Sequence, residues 1–161
     1  MKKMRNFTLT LLSFFFFSYT TIPHNFTLVI PETYALTTSG NPNTLTINIP
    51  TSGFASVIDS STTYSITSNK KGNNHLKITG MITSGGNMLD NTSLTLSLGS
   101  SSGTSLGAVT LCTTSIDLVT NLPAFITETG RITYTFTVQN GWKIPAQTLT
   151  RAITLTLTSS D

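Results

Sequence analysis

Residues 130–159 read GRITYTFTVQNGWKIPAQTLTRAITLTLTS. Two alternating runs stand out in this stretch. Ile132, Tyr134, Phe136 and Val138 share one parity, and Thr133, Thr135, Thr137 and Gln139 the other. Further on, Ile153, Leu155 and Leu157 alternate with Thr154, Thr156 and Thr158. Successive side chains of a strand point to opposite faces, so period-two alternation predicts half-buried β-strands. The connection 140–147 opens with the turn pair Asn140-Gly141 and contains Pro145. The stretch therefore predicts a long antiparallel hairpin laid on a core by one apolar face.

The rest of the chain has the same character. Thr accounts for 33 and Ser for 19 of the 161 residues, while 9% of residues are charged, against about 25% in ordinary domains. Thr favours strands and Ser favours turns. Regularly spaced Ile, Leu, Val, Tyr and Phe supply the apolar content that disordered chains lack. The pI of 9.2 does not mark an acidic partner. From Leu36 onward six Lys or Arg face five Asp or Glu, a net of +1. The one basic pair, Lys70-Lys71, falls in a turn, which excludes a nucleic-acid interface built on a basic stripe.

The N-terminus has the layout of an export signal. A basic start, MKKMRN, precedes the apolar run FTLTLLSFFFFSYTTI over 7–22. Small residues at Thr33 and Ala35 place cleavage after Ala35. The expected organisation is a signal peptide over 1–35, a flexible leader over 36–43 and one β-sandwich domain over 44–161. A spanning helix needs about 20 apolar residues; this run is shorter and ends at Pro23. Membrane attachment is therefore expected only through an uncleaved N-terminal segment. No Cys follows the run to carry a lipid, and no LPxTG-like sorting signal is present. These features predict a secreted, cell-surface or periplasmic protein.

Strand candidates follow at intervals suited to a sandwich. Thr44–Ile49 alternates with Leu45, Ile47 and Ile49 on one face, and Pro50 stops it. A loop, PTSGFASVIDSS, separates it from Thr62–Ser68, with Tyr64 and Ile66 inward. His75–Thr83 turns Leu76, Ile78, Gly80 and Ile82 to one face; Ser93–Gly99 does so with Leu94, Leu96 and Leu98. Leu106–Cys112 and Ser115–Thr120 follow, and a loop bracketed by Pro123 and Thr129-Gly130 precedes the hairpin. No segment has helical periodicity. The prediction is an all-β, antiparallel sandwich of about seven to eight strands.

Constellations that carry chemistry are sparse. Gly103-Thr104-Ser105-Leu106-Gly107 matches G-x-S-x-G, but a nucleophile elbow needs a helix after it and a later His, and His75 precedes it. One His and one thiol, Cys112, do not make a zinc site. Cys112 has no intrachain partner and is expected as a buried apolar filler. Asp59, Asp90, Asp117 and Glu128 are scattered. Gly85-Gly86-Asn87 with Asp90-Asn91 lacks the carboxylate-rich pattern of a calcium loop and reads as a turn. Lys77 is considered as the amine of an isopeptide bond, but its parity points outward. Arg131 and Arg151 are expected as solvated charges at the hairpin base. Trp142, Lys143 and Ile144 crowd the hairpin loop and form the candidate recognition site. An exposed Trp there suits a sugar ring or an interface anchor.

The segments Gly107–Leu111, Asp117–Thr120, Gly130–Thr135 and Arg151–Leu155 resemble Thr-rich, Ig-like modules of bacterial secreted and surface proteins. The resemblance covers the last third to half of the domain. It implies an Ig-like sandwich with a pilin- or adhesin-like role in display or assembly, without catalytic residues, metal or cofactor. The expected function is therefore non-enzymatic and structural or adhesive, with a protein partner or self-association. The strand carrying Leu45, Ile47 and Ile49 is expected to complete its own sheet; its addition to a neighbour's exposed edge is the candidate mechanism of assembly. A carbohydrate-binding module that grips a glycan with Trp142 is the alternative.

Overall fold

The computed structural model describes residues 27–48, 53–72, 75–140, 144 and 147–160. The basic start and apolar run of the export signal, together with Ile49, Trp142 and Lys143, lie outside the described residues. The chain divides into two units, 1–30 and 31–161. Of the first, Thr27–Ile30 are described; they are irregular, with Leu28, Val29 and Ile30 exposed.

The second unit is all-β. Among the described residues it has nine strands and no helix: β1 (Tyr34–Ser39), β2 (Phe54–Asn69), β3 (Leu76–Ser84), β4 (Thr92–Leu98), β5 (Thr104–Ser105), β6 (Val109–Thr110), β7 (Ile116–Leu122), β8 (Phe125–Gln139) and β9 (Ala152–Ser159). They form two antiparallel sheets. One is ordered β1-β2-β8-β4-β6 and the other β5-β7-β3-β9. Both contribute to one core. Tyr64, Ile66, Leu96, Leu98 and Ile132 come from the first sheet, and Leu76, Ile78, Ile82, Leu118 and Leu122 from the second. The expected antiparallel sandwich is what forms, and the inward parities of Tyr64/Ile66, Leu76/Ile78/Ile82 and Leu94/Leu96/Leu98 are the ones that are buried.

The hairpin is the main correction. β8 and β9 are each strands, but they belong to different sheets: β8 lies between β2 and β4, and β9 pairs with β3. Alternation defines a strand and its buried face; it does not name the neighbour. The partner that β8 takes over its full length is β2, 16 residues long and distant in sequence.

β2 also replaces an expected loop. Most of PTSGFASVIDSS is strand, hidden in the sequence by a β-bulge. Asp59 pairs with Tyr134 and Thr62 with Ile132, so β2 spends three residues where β8 spends two. The extra residue flips the parity. Ala55, Val57 and Asp59 turn inward before it, and Thr62, Tyr64, Ile66 and Ser68 after it, leaving Phe54 and Ile58 exposed. Similarly, β8 begins at Phe125 and runs through Thr129-Gly130 rather than starting after a loop there. Pro123-Ala124 is a corner between sheets, held where the Ser68 hydroxyl donates to the Ala124 carbonyl at 2.6 Å.

Thr44–Ile49 is not a strand over its described part. Residues 41–48 are irregular, with Leu45 packed against the core and Ile47 half-buried. The N-terminal strand lies earlier: the segment read as a leader is divided, Leu36–Ser39 completing β1 and Gly40–Asn43 turning away from it.

Candidate functional site

The two lateral sides of the sandwich differ. On one side the edge strands are β5 and β6, two residues each, and the surrounding loop is tied down. Leu111 N–H donates to the Leu94 carbonyl at 2.9 Å, Ile82 N–H to the Cys112 carbonyl at 2.8 Å, and Leu106 N–H to the Leu118 carbonyl at 2.9 Å. A buried carboxylate adds to this. Glu128 accepts from Ser102 N–H at 2.8 Å and from the Ser101 hydroxyl at 3.2 Å. The Tyr64 hydroxyl lies 2.9 Å from Glu128 Oε1 and 2.6 Å from the Gly99 carbonyl, its one proton shared between them. Burial alone raises the Glu128 pKa; bonds from Ser102, Ser100 and Tyr64 outweigh it and hold the carboxyl below its ordinary value. Burial, then the charge and hydrogen bond of Glu128, push the Tyr64 phenol up. Gly130 makes room for this, because a Cβ there would fall 2.2 Å from the Gly99 carbonyl oxygen and 2.4 Å from the Tyr64 ring.

On the other side lie β1 and β9, with six and eight residues. β1 is paired with β2 along one edge, and β9 with β3 along one edge. The opposite edge of each carries no strand among the described residues. Between them runs a cleft of about 430 Å³ whose lining includes Leu36, Tyr134, Ile153, Leu155 and the Gly40–Pro42 turn. Leu36, Ile153 and Leu155 are half-buried against the core. Sheet edges in natural proteins are blunted by Lys, Pro, bulges or shortness. β9, with the sequence AITLTLTS, has no charge and no Pro.

Two clusters fix the ends of this open side. At the β2 bulge, Asp59 accepts from Asn43 N–H at 3.0 Å, Ser61 N–H at 3.1 Å and the Ser61 hydroxyl at 2.9 Å. Burial raises its pKa, but the bonds from Ser61 and Asn43 win and the net shift is downward. At the start of β9 the Arg151 guanidinium donates to the Thr150 and Asn87 carbonyls, each at 2.9 Å. Arg151 is thus a clamp on the β3–β4 turn rather than a solvated charge, whereas Arg131 is exposed as expected.

The other residues singled out in the sequence do not converge. Ser105 sits in β5, and its hydroxyl donates to the Leu98 carbonyl at 2.6 Å; a strand, β6, follows instead of the helix of a nucleophile elbow. His75 is exposed beside the shallow hollow lined by Gly72, Pro123, Ala124 and Phe125. Cys112 is half-buried, with Sγ 3.5 Å from the Thr114 carbonyl, so it is not the buried filler expected; Leu111 takes that place. Lys77 pairs with Asp117 at 3.1 Å, both about one third exposed. This is a surface ion pair, without the burial an isopeptide bond requires. Asn87 Oδ1 accepts from Thr113 N–H at 3.3 Å, and among the described residues no three His, Cys, Asp or Glu gather as a metal site. Ile144 is half-buried at a bend.

The sequence reading missed the open side because its two walls are remote in sequence and adjacent only through topology. One signal was present: a long Thr/Leu strand lacking Lys and Pro is what an unprotected edge looks like. Comparison with protein-family models, curated proteins and solved structures returns no match for this chain.

Proposed function

We propose that this chain is a non-enzymatic, secreted or cell-surface β-sandwich, structural or adhesive in role, that assembles by strand addition along its open side. The observation that carries this reading is the edge of β9: eight residues, uncharged, free of Pro, and flanking a cleft of mixed lining in which Leu36, Ile153 and Leu155 are the apolar wall and Arg151 stands at one end. An added strand would satisfy the outward N–H and C=O groups of β9 and seat alternate side chains against Leu36, Ile153 and Leu155. The low charge and Thr-rich surface fit display outside the cell, where the expected export signal would deliver the chain. The candidate donor, Leu45/Ile47/Ile49, is not the one the fold offers. Leu45 packs against its own core and Asn43 is tied to Asp59, so this segment serves its own domain.

Ile153→Lys tests the reading by setting a charge in the cleft while leaving β9 paired with β3. Sedimentation of the full chain is expected to show concentration-dependent multimers that the substitution reduces to monomers, with the far-UV spectrum unchanged. A wild-type chain that stays monomeric at every concentration contradicts the proposal.

A further inference from the structure

The geometry of β1 makes it a strand that can be donated. We infer that it passes to a second copy of this chain, the two copies exchanging β1. The inference rests on the strand-addition reading above and adds to it: the exchanged β1 pairs with β2 of the second copy, and the outer edge of β9 stays free for the edge addition already proposed.

β1 is weakly committed to its own core. Of its six residues, Leu36 alone is turned inward, and it is half-buried; the other five are exposed. What holds β1 is its edge: the register from Tyr34↔Ser68 to Ser39↔Thr63, the Ser39–Thr63 hydroxyl pair at 2.7 Å, and Asn69, whose N–H donates to the Thr33 carbonyl at 3.0 Å and whose Nδ2 donates to the Pro31 carbonyl at 3.1 Å. Every one of these contacts joins 31–39 to 63–69; those of Leu36–Ser39, the register from Leu36↔Ile66 to Ser39↔Thr63 and the Ser39–Thr63 hydroxyl pair, remain when the chain is cut after Ala35. A second copy supplies the same segment and can make the same contacts in the same register. Exchange therefore forfeits none of them, the condition under which strand swapping costs little.

The hinge is built for it. Gly40 has φ +69° and open space around its Cα, so it can change direction freely. Pro42 biases Asn41 toward extended backbone, which favours a chain that runs on rather than folding back; a short hinge under such restraint invites swapping. Immediately after the hinge, Asn43 is anchored to Asp59 and Leu45 to the core. The departure of β1 thus stops at Asn43 and leaves the remaining domain in place. The receiving edge is equally fixed, because Tyr64 and Ile66, at the centre of the 63–68 edge, are fully buried. Finally, Gly40, Asn41 and Pro42 line the cleft beside β9. An exchanged β1 would therefore bring the second copy up against the open side.

Thr37 and Ser65 are register partners with no part in the core, and opposed Cα atoms about 4.5–5.5 Å apart suit a disulfide. Two full-length variants, Thr37→Cys and Ser65→Cys, each also carrying Cys112→Ser, are refolded together and oxidised. The expected product is a heterodimer linked through positions 37 and 65, in at least tenfold excess over 37–37 and 65–65 dimers. Thr37→Cys/Ser65→Cys in one chain shows that the pair can close. If the mixture sediments as multimers, this chain closes its bond internally and no 37–65 heterodimer forms, β1 stays at home; exchange is overturned and edge addition stands. A monomeric mixture overturns both. A variant without new cysteines gives a second readout: four Gly/Ser residues inserted between Asn41 and Pro42 are expected to shift dimer to monomer at least tenfold, and an unchanged dimer would contradict exchange.

Discussion

One side of this sandwich ends in β5 and β6, two residues each, wrapped by a loop pinned to Glu128 and to the backbone of β3, β4 and β7; the other ends in β1 and β9, long strands facing a cleft. Both sides are made from the same Ser, Thr and Leu, so composition does not distinguish them. The closed side uses its polar groups on itself. Ser101, Ser102, Tyr64 and the Gly99 carbonyl meet around one carboxylate, and the loop's backbone is bonded at Leu106, Leu111 and Cys112. On the open side the outward edges of β1 and β9 pair with no strand among the described residues. Stability is therefore concentrated on one side and left available on the other.

Truncation of core leucines measures that contrast most strongly. Leu98→Ala, at a fully buried position on the closed side, is expected to lower the unfolding free energy by about 3 kcal/mol. Leu155→Ala, half-buried in the cleft wall, is expected to cost about 1 kcal/mol. Denaturant titrations at low protein concentration, where association does not contribute, give both numbers; equal costs would erase the distinction.

Glu128→Gln makes a smaller change on the closed side. The amide keeps one acceptor but replaces the carboxylate's second acceptor with a donor facing the Ser101–Ser102 pair. A loss of about 1–2 kcal/mol at neutral pH is expected. The folded pKa of Glu128 is depressed, so the stability it contributes is present above its unfolded value near 4.5 and is lost as pH falls through the folded value. The thermal midpoint of the wild-type chain is thus expected to drop on acidification below about pH 4.5. The Gln variant should lose less over the same interval; an identical acid profile would remove Glu128 from the account. Asp59, also depressed, contributes in the same direction.

Much of the fold was legible because burial leaves a periodic mark. The runs Leu76–Ile82, Leu94–Leu98 and Ile132–Val138 carry their inward faces in plain alternation. What was not legible has specific causes. The bulge at Asp59–Thr62 shifts parity midway through β2, so a 16-residue strand looks like a loop followed by a short strand. In β7, both Leu118 and Val119 are buried and Asn121 takes φ +56°, which blurs the alternation there. Adjacent strands of opposite sheets, β8 and β9, have the same pattern as a hairpin, and nothing local separates the two cases. The open side follows from strand order, which alternation does not encode. The Tyr64–Glu128 contact spans 64 positions and leaves no trace in either segment alone.

Hydrogen exchange at the backbone amides of β9 reports on whether its outer edge is the assembly surface proposed above. Deuterium uptake across Ala152–Ser159 is expected to fall as the concentration of the full chain is raised, while uptake across Leu94–Leu98 stays constant. Uptake across Ala152–Ser159 that is the same at every concentration would contradict the proposal.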